Sequence, residues 1–154
     1  MTTPAKPRVF VDSDVLFAGA ASGSEHGASL VVLRMAEITL IDAVVSEQVI
    51  VEVERNLSGY LPGAVPVFRQ LVSRCLRVVP DPTAAELATC RTLANPKDAP
   101  ILAAAVREVC PWLVTFNVRH FQPGHPSLTV LRPGAFVQHV RARLAYLVPK
   151  NPAS

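Results

Sequence analysis

The chain has 154 residues, of which 50% are hydrophobic and 18% are charged, and its formal net charge is +3. A chain of this length and composition buries enough apolar surface to fold as one domain, which excludes intrinsic disorder. No run approaches the roughly 20 apolar residues of a membrane span, and Asp12 and Asp14 interrupt any signal-peptide pattern. The three cysteines are too widely spaced to suggest a disulfide framework or a zinc knuckle. We therefore expect a cytoplasmic protein without membrane association.

The basic and the acidic residues differ in how strongly they indicate a function. The 15 basic residues are mostly Arg, which suits contacts with phosphate, although a net charge this small is more simply explained by genomic base composition. The 12 acidic residues are few enough to be considered one by one. They are the residues that indicate a functional site most directly.

The first half of the chain is predicted to open with a buried strand that ends in an acid. In chain order the predicted elements are a strand over 8–12, a loop or weak helical turn over 18–27, a helix over 28–37, a strand over 38–45 and a helix over 46–60. Ser46 is a candidate N-cap for the second helix. The apolar positions of that helix recur at helical spacing, from Val49 to Leu57.

The second half continues the same alternation of helices and strands. Its predicted elements are a helix over 65–75, a strand over 76–79, a helix over 83–94, a helix over 98–109, a strand over 112–115, a loop over 117–126, a strand over 128–131 and a helix over 133–147. Thr83 and Glu86 form a capping box, and Asp98 is a candidate cap. Phe136, Val140, Leu144 and Leu147 give the last helix one apolar stripe.

Alternating strands and helices predict an α/β protein with a mainly parallel sheet of four to five strands, covered by helices on both faces. We predict one domain over residues 8–148, with flexible tails over 1–7 and 149–154. In such sheets, sites gather at the carboxyl ends of the strands.

Four polar side chains are predicted to converge at that edge: Asp12, Glu52, Asp98 and Asn117. A cluster of carboxylates is costly unless a cation neutralises it, and oxygen ligands favour Mg²⁺ or Mn²⁺ over zinc. Taken singly, Asp98 could serve only as a helix cap and Glu52 only as a solvated helix residue. Asp12 is harder to explain structurally, because it directly follows the apolar run from Val9 and is followed by Asp14.

Four segments in chain order carry a resemblance to a known family. They are Val9-Phe-Val-Asp-Ser-Asp-Val-Leu16, Ser46-Glu-Gln-Val-Ile-Val-Glu-Val-Glu-Arg-Asn-Leu57, Lys97-Asp-Ala-Pro-Ile-Leu-Ala-Ala-Ala105 and Leu113-Val-Thr-Phe-Asn-Val-Arg-His-Phe121. These segments are similar to the motifs of the PIN-domain family, and the resemblance spans residues 8–147.

The resemblance implies a three-layer α/β/α fold and a nuclease, most often a ribonuclease, that depends on Mg²⁺ or Mn²⁺. Many small members are VapC-type toxins, which implies an RNA substrate, a cognate antitoxin and a homodimer. Asp12, Glu52 and Asp98 match the catalytic metal ligands of the family. Ser13 and Thr115 match its supporting polar residues, and we add Asp14 to that supporting group.

The chain departs from the family where a fourth acid is often found. Asn117 and His120 occupy the two candidate positions. Asn117 can still offer its carbonyl oxygen to a metal, and His120 either contacts a phosphate or is an ordinary loop residue. Arg119 and Arg55 are candidate RNA-binding residues, with solvated surface charge as the alternative.

Two other functions compete with the nuclease. The missing acid is compatible with a degenerate PIN domain that binds RNA or a protein without cutting. Asp12-Ser-Asp14 after a strand is also similar to the opening of haloacid dehalogenase-type phosphatases. Those enzymes need a later acid pair, and no Asp follows Asp98.

Overall fold

Five short parallel strands form the centre of the molecule in a computed structural model, which describes residues 5–22 and 27–151. The strands are β1 (Arg8–Val11), β2 (Asp42–Ser46), β3 (Leu76–Val79), β4 (Trp112–Val114) and β5 (Thr129–Leu131). Their order in the described sheet is β3-β2-β1-β4-β5, and each neighbouring pair is parallel. The α/β class and the mainly parallel sheet are thereby confirmed.

Helices connect the strands along the described chain. They are α1 (Ser13–Ala21), α2 (Ala28–Glu37), α3 (Glu47–Tyr60), α4 (Val65–Cys75), α5 (Ala84–Ala88), α6 (Ala99–Arg107) and α7 (Pro133–Leu144). Short 3₁₀ turns cover Pro62–Ala64, Val118–Phe121 and Ala145–Leu147. None of the described helices is long and apolar enough to cross a membrane.

The strand order explains why helices cover both faces of the sheet. Connections between parallel strands are right-handed. From β1 to β3 the chain moves toward one edge of the sheet, and from β3 to β4 it crosses back toward the other edge, so the helices between β3 and β4 lie on the opposite face. Accordingly, α1 to α4 contact one another, while α5 contacts α6. The central strand β1 is therefore covered on both sides, and Val9, Phe10 and Val11 are fully buried.

The first helix is the main element that the sequence pattern missed. The predicted loop or weak turn over 18–27 is wrong at its start, because α1 continues to Ala21, and residues 23–26 of it lie outside the described residues. The small residues at the end of α1 form a helix that packs closely against α2, not the loop that their composition suggested. A Cβ at Gly19 would lie 2.7 Å from Leu33 Cδ1, so glycine allows α1 to approach α2.

Several predicted boundaries also need correction. Strand β2 begins at Asp42 rather than at residue 38, because the chain first turns through Thr39, whose φ is 67°. The helix predicted over 83–94 is regular only to Ala88, and the one predicted over 98–109 ends at Arg107. The predicted loop over 117–126 includes a 3₁₀ turn, and α7 gives way to another at Ala145.

The predicted caps have mixed outcomes. Thr83 and Glu86 form the capping box. Within the described structure, the Ser46 side chain does not cap α3, and Asp81 Oδ1 instead accepts from Gln48 N at 2.8 Å. Asp98 stands at the N-cap of α6, but its side chain makes no capping bond to the described helix and remains available for other contacts.

Candidate functional site

The site begins where β1 and β4 end side by side. Val11 pairs with Val114, and Asp12 N donates to Val114 O at 3.0 Å. The next residues on each strand therefore meet at one edge of the sheet. This register brings Asp12 beside Thr115, which is 103 residues away along the chain.

Both oxygens of the Asp12 carboxylate have partners. Thr115 Oγ1 donates to Oδ2 at 2.8 Å, and Ser13 N donates to Oδ1 at 2.8 Å. The second bond makes Asp12 the N-cap of α1. Since Asp12 and Thr115 are both buried, these contacts fix the carboxylate in one orientation.

Asp14 is held by the three residues that follow β4. Its Oδ2 accepts from Phe116 N at 3.0 Å, from Asn117 Nδ2 at 3.2 Å and from Thr115 Oγ1 at 3.4 Å. Its Oδ1 is buried and has no hydrogen-bond partner among the described residues. A buried carboxylate oxygen without a partner costs free energy unless a cation or water reaches it.

Asp98 enters the site from the start of α6. Its Oδ2 lies 3.2 Å from Nδ1 of His120, so the two side chains form an ion pair when the imidazole is protonated. The loops around them are also joined, since Asn95 N donates to His120 O at 2.8 Å. His120 is therefore a neighbour of Asp98 rather than an isolated loop residue.

These side chains surround one open cavity of about 550 Å³. Its lining residues are Asp12, Ser13, Asp14, Phe17, Glu52, Asn56, Tyr60, Asn95, Lys97, Asp98, Asn117 and His120. We call it the acidic cavity. It brings together the predicted acids, Ser13, Asn117 and His120, and Thr115 is buried behind Asp12.

The two predicted RNA-binding arginines lie elsewhere. Arg55 lines an adjoining cavity that shares Glu52, Asn56 and Lys97 with the acidic cavity. Arg119 is exposed on the 3₁₀ turn after β4.

Five lining residues were missed from the sequence. Two of them had a readable signal, because Asn56 and Tyr60 follow Glu52 at intervals of four and share its face of α3. Lys97 directly precedes Asp98 and could have been flagged on that ground. Phe17 and Asn95 carried no comparable pattern.

Two acids of the cavity, Asp12 and Asp14, have a raised pKa, and burial is the largest cause for both. Burial raises the pKa of Asp12 to about 7, and the charges of Asp14 and Asp98 add to this effect. The hydrogen bonds from Thr115 and Ser13 oppose it. Burial also raises the pKa of Asp14, with a smaller contribution from Asp98. Carboxylates crowded in this way favour a bound cation, because a cation stabilises the ionised forms.

The donor set fits a hard divalent ion that keeps part of its water. Across the described residues, no three His, Cys, Asp or Glu side chains form a group that could hold a metal ion by themselves. Mg²⁺ is commonly bound by one or two carboxylates with several waters, so a closed cage is not required. The oxygen chemistry of the cavity and the unpartnered Asp14 Oδ1 are consistent with such an ion.

The PIN domain family model matches residues 8–119. The chain belongs to the PIN domain family. This membership favours the nuclease interpretation over the phosphatase alternative. No curated protein sequence matches this PIN domain.

Solved structures provide a second comparison for this PIN domain. VapBC2 from Rickettsia felis, bound to a DNA fragment from its promoter, is similar with a TM-score of 0.65 and 15% identity, covering 81% of this chain and 98% of that one. VapC20 from Mycobacterium tuberculosis, described as a toxin that cleaves the sarcin–ricin loop, has a TM-score of 0.52 and 17% identity. That match covers 68% of this chain and 86% of the other. At these identities the likeness shows a shared fold.

Proposed function

We propose that this PIN domain is a metal-dependent endoribonuclease and the toxin of a toxin–antitoxin pair. The observation that carries the proposal is the acidic cavity, where Asp12, Asp14, Glu52 and Asp98 line one opening at the carboxyl edge of the sheet. Family membership supports the nuclease class. The similarity to VapBC2 and VapC20 supports the toxin assignment and an antitoxin partner, and the homodimer stays a prediction from the family.

The proposed cofactor is Mg²⁺ or Mn²⁺. Asp12, Glu52, Asp98 and Asn117 are the proposed ligands, and the buried Oδ1 of Asp14 is a further candidate. When bound, such an ion supplies charge neutralisation at the phosphate and a lower pKa for water. The side chains of the cavity would bind and orient the RNA.

Those side chains suit an RNA strand in several ways. Thr115 and the Ser13 amide hold Asp12 in place, so that its carboxylate needs little reorganisation during the reaction. Lys97 brings a cation to the rim, where it attracts the phosphate backbone. Tyr60 is 78% exposed and offers a ring on which a base can stack.

The adjoining cavity extends this surface along α3. It contains Arg55 and shares Lys97 with the acidic cavity, so a phosphate beside the cleaved bond could be bound there. Arg119 stays a predicted contact, supported by its exposure near Asn117 and His120.

Cleavage of end-labelled single-stranded RNA tests the proposal. We expect cleavage with Mn²⁺ or Mg²⁺, none with EDTA, and a large loss in the Asp12→Asn variant. Undiminished cleavage by that variant would overturn the site. Binding of RNA without cleavage in any metal would instead support the degenerate PIN domain.

A further inference from the structure

A further concave surface lies at the opposite edge of the sheet from the acidic cavity. It is a groove of about 330 Å³ whose walls include Leu40, Ile41, Trp112, Val140 and Leu144. Leu40 and Ile41 immediately precede β2, and Trp112 is the first residue of β4. Because all described strands are parallel, these amino ends face away from the carboxyl ends that carry the acids. We call this surface the basal groove.

The floor of the basal groove is aromatic. The Trp112 ring meets Phe136 edge-on, with centroids 6.0 Å apart, and lies 4.6 Å from the His139 ring. Phe136 is 1% exposed, so it anchors the tryptophan from below. A preformed aromatic floor lowers the entropy lost when a ligand binds.

The rim of the groove carries apolar side chains that stay exposed among the described residues. Leu40 is 45% exposed, and Leu144 is 47% exposed. Within the predicted apolar stripe of α7, Phe136 is buried and Val140 packs partly buried against the core, whereas Leu147 is 76% exposed. Apolar side chains gathered around a groove are typical of a protein-binding site.

The charge around the groove is positive. Arg143 and His139 line it, and its described lining contains no carboxylate. The sequence from residue 109 to residue 154 has no Asp or Glu, and its basic residues are Arg119, Arg132, Arg141, Arg143 and Lys150. Asp42, which directly follows Ile41 of the groove, is paired with Arg8 and Arg77.

We propose that the basal groove binds an acidic amphipathic helix of a partner protein. An apolar side chain of that helix would lie over Trp112, and its carboxylates would face Arg143. Charge complementarity favours this occupant over two others. A second copy would bring the same positive face, and the ends of this chain, residues 1–7 and 148–154, contain Lys6 and Lys150 but no acid.

Fluorescence anisotropy with two synthetic helical peptides tests this proposal on the full chain. One peptide has Leu on one face and Glu on the other, and its match has Lys in place of each Glu. We expect the Glu peptide to bind and the Lys peptide to bind at least about tenfold more weakly, because it faces Arg143 with like charge. Equal binding of the two peptides, or no binding of the Glu peptide, overturns the proposal.

Paired variants locate the binding on the groove. Arg143→Glu should weaken Glu-peptide binding about tenfold or more, whereas Arg91→Glu, another exposed arginine, should leave it within about twofold. Leu144→Ala should weaken binding about fivefold or more, whereas Val67→Ala, at a position of similar exposure on α4, should not. All four positions are exposed, and circular dichroism verifies that each variant is folded. Equal effects within either pair overturn the assignment.

Two further measurements separate the competing occupants. A dimer in sedimentation equilibrium that Leu144→Ala dissolves would assign the groove to a second copy and overturn the proposal. Binding to phosphatidylglycerol vesicles without binding to the Glu peptide would assign it to a membrane surface, with the same consequence. The Asp12→Asn variant should bind the Glu peptide like the wild type, so this test does not depend on nuclease activity.

Discussion

The Thr115 hydroxyl donates a 2.8 Å hydrogen bond to Oδ2 of Asp12, and this buried contact joins the carboxyl ends of β1 and β4. The Ser13 amide and, at 3.5 Å, the Ser13 hydroxyl donate to the other oxygen of the same carboxylate. The same hydroxyl also lies 3.4 Å from Asp14 Oδ2. Thr115 therefore positions both acids that follow β1.

Replacing Thr115 with Val keeps the shape of the side chain and removes the donor. We expect the free energy of unfolding to fall by about 1–3 kcal/mol at pH 8, because an ionised buried Asp12 would lose a hydrogen bond. The loss should be smaller at pH 5, where Asp12 is protonated. Urea denaturation measures both values. Thr115→Ser, which keeps the hydroxyl, should recover most of the stability; a Ser variant as unstable as Val would contradict the role of the hydrogen bond.

The raised pKa of Asp12 predicts a pH-dependent stability in the absence of divalent metal. Folding favours the protonated form of Asp12. The contribution of this preference to the free energy of unfolding is therefore complete below the ordinary pKa of 3.8 and is lost as the pH rises through about 7. The shift sets an upper limit on the order of 4 kcal/mol. In EDTA, Asp12→Asn should therefore be more stable than the wild type at pH 8 and similar to it at pH 4. A difference that does not change with pH would contradict this explanation.

Divalent metal should reverse that penalty. An ion that binds the ionised carboxylates stabilises the folded state by mass action, so Mn²⁺ should raise the melting temperature more at pH 8 than at pH 5. The effect should be absent in Asp12→Asn. Calorimetric melting curves with and without Mn²⁺ provide the measurement. An equal rise in the variant would place the ion outside the acidic cavity.

Val109 offers a stability test away from the site. Its φ is 56°, a left-handed conformation that favours glycine, and it is 78% exposed between α6 and β4. Cys110 N donates to Ala105 O across this turn at 3.0 Å, in the manner of a glycine-terminated helix. Val109→Gly should raise the free energy of unfolding by about 1 kcal/mol. Val67→Gly, inside α4, should lower it by about as much, and destabilisation in both would contradict the strain at Val109.

The sequence predicted the elements whose periodicity agrees with their packing. The apolar runs that became β1 and β4 were readable because strands covered on both faces are rich in apolar residues, and the edge strands β3 and β5 still carry enough Val and Leu to be recognised. The convergence of Asp12, Glu52 and Asp98 on one cavity was predicted because, in parallel α/β sheets, the ends of strands and the starts of the following helices share one edge. These features depend on local pattern and on the general geometry of parallel sheets.

Features that depend on long-range contacts could not be predicted in this way. Helix α1 was missed because its glycine and alanines resemble a loop in the sequence. Only the structure shows that Gly19 is needed for close packing against Leu33. Asp14 was assigned only a supporting role, since its unpartnered oxygen is visible only in three dimensions. The sequence predicted the apolar stripe of α7, but its pattern could not show that Leu144 and Leu147 would remain 47% and 76% exposed.

Helix α3 supplies the most direct test of the central claim, because it carries two glutamates in different surroundings. Glu52 lines the acidic cavity, whereas Glu54 pairs with Arg69 at 3.0 Å on another side of the helix. The measurement is the rate of Mn²⁺-dependent cleavage of single-stranded RNA by Glu52→Gln and by Glu54→Gln. We predict a loss of about 100-fold or more for Glu52→Gln and a rate within about twofold of the wild type for Glu54→Gln. Equal rates for the two variants would contradict the assignment of the acidic cavity as the active site.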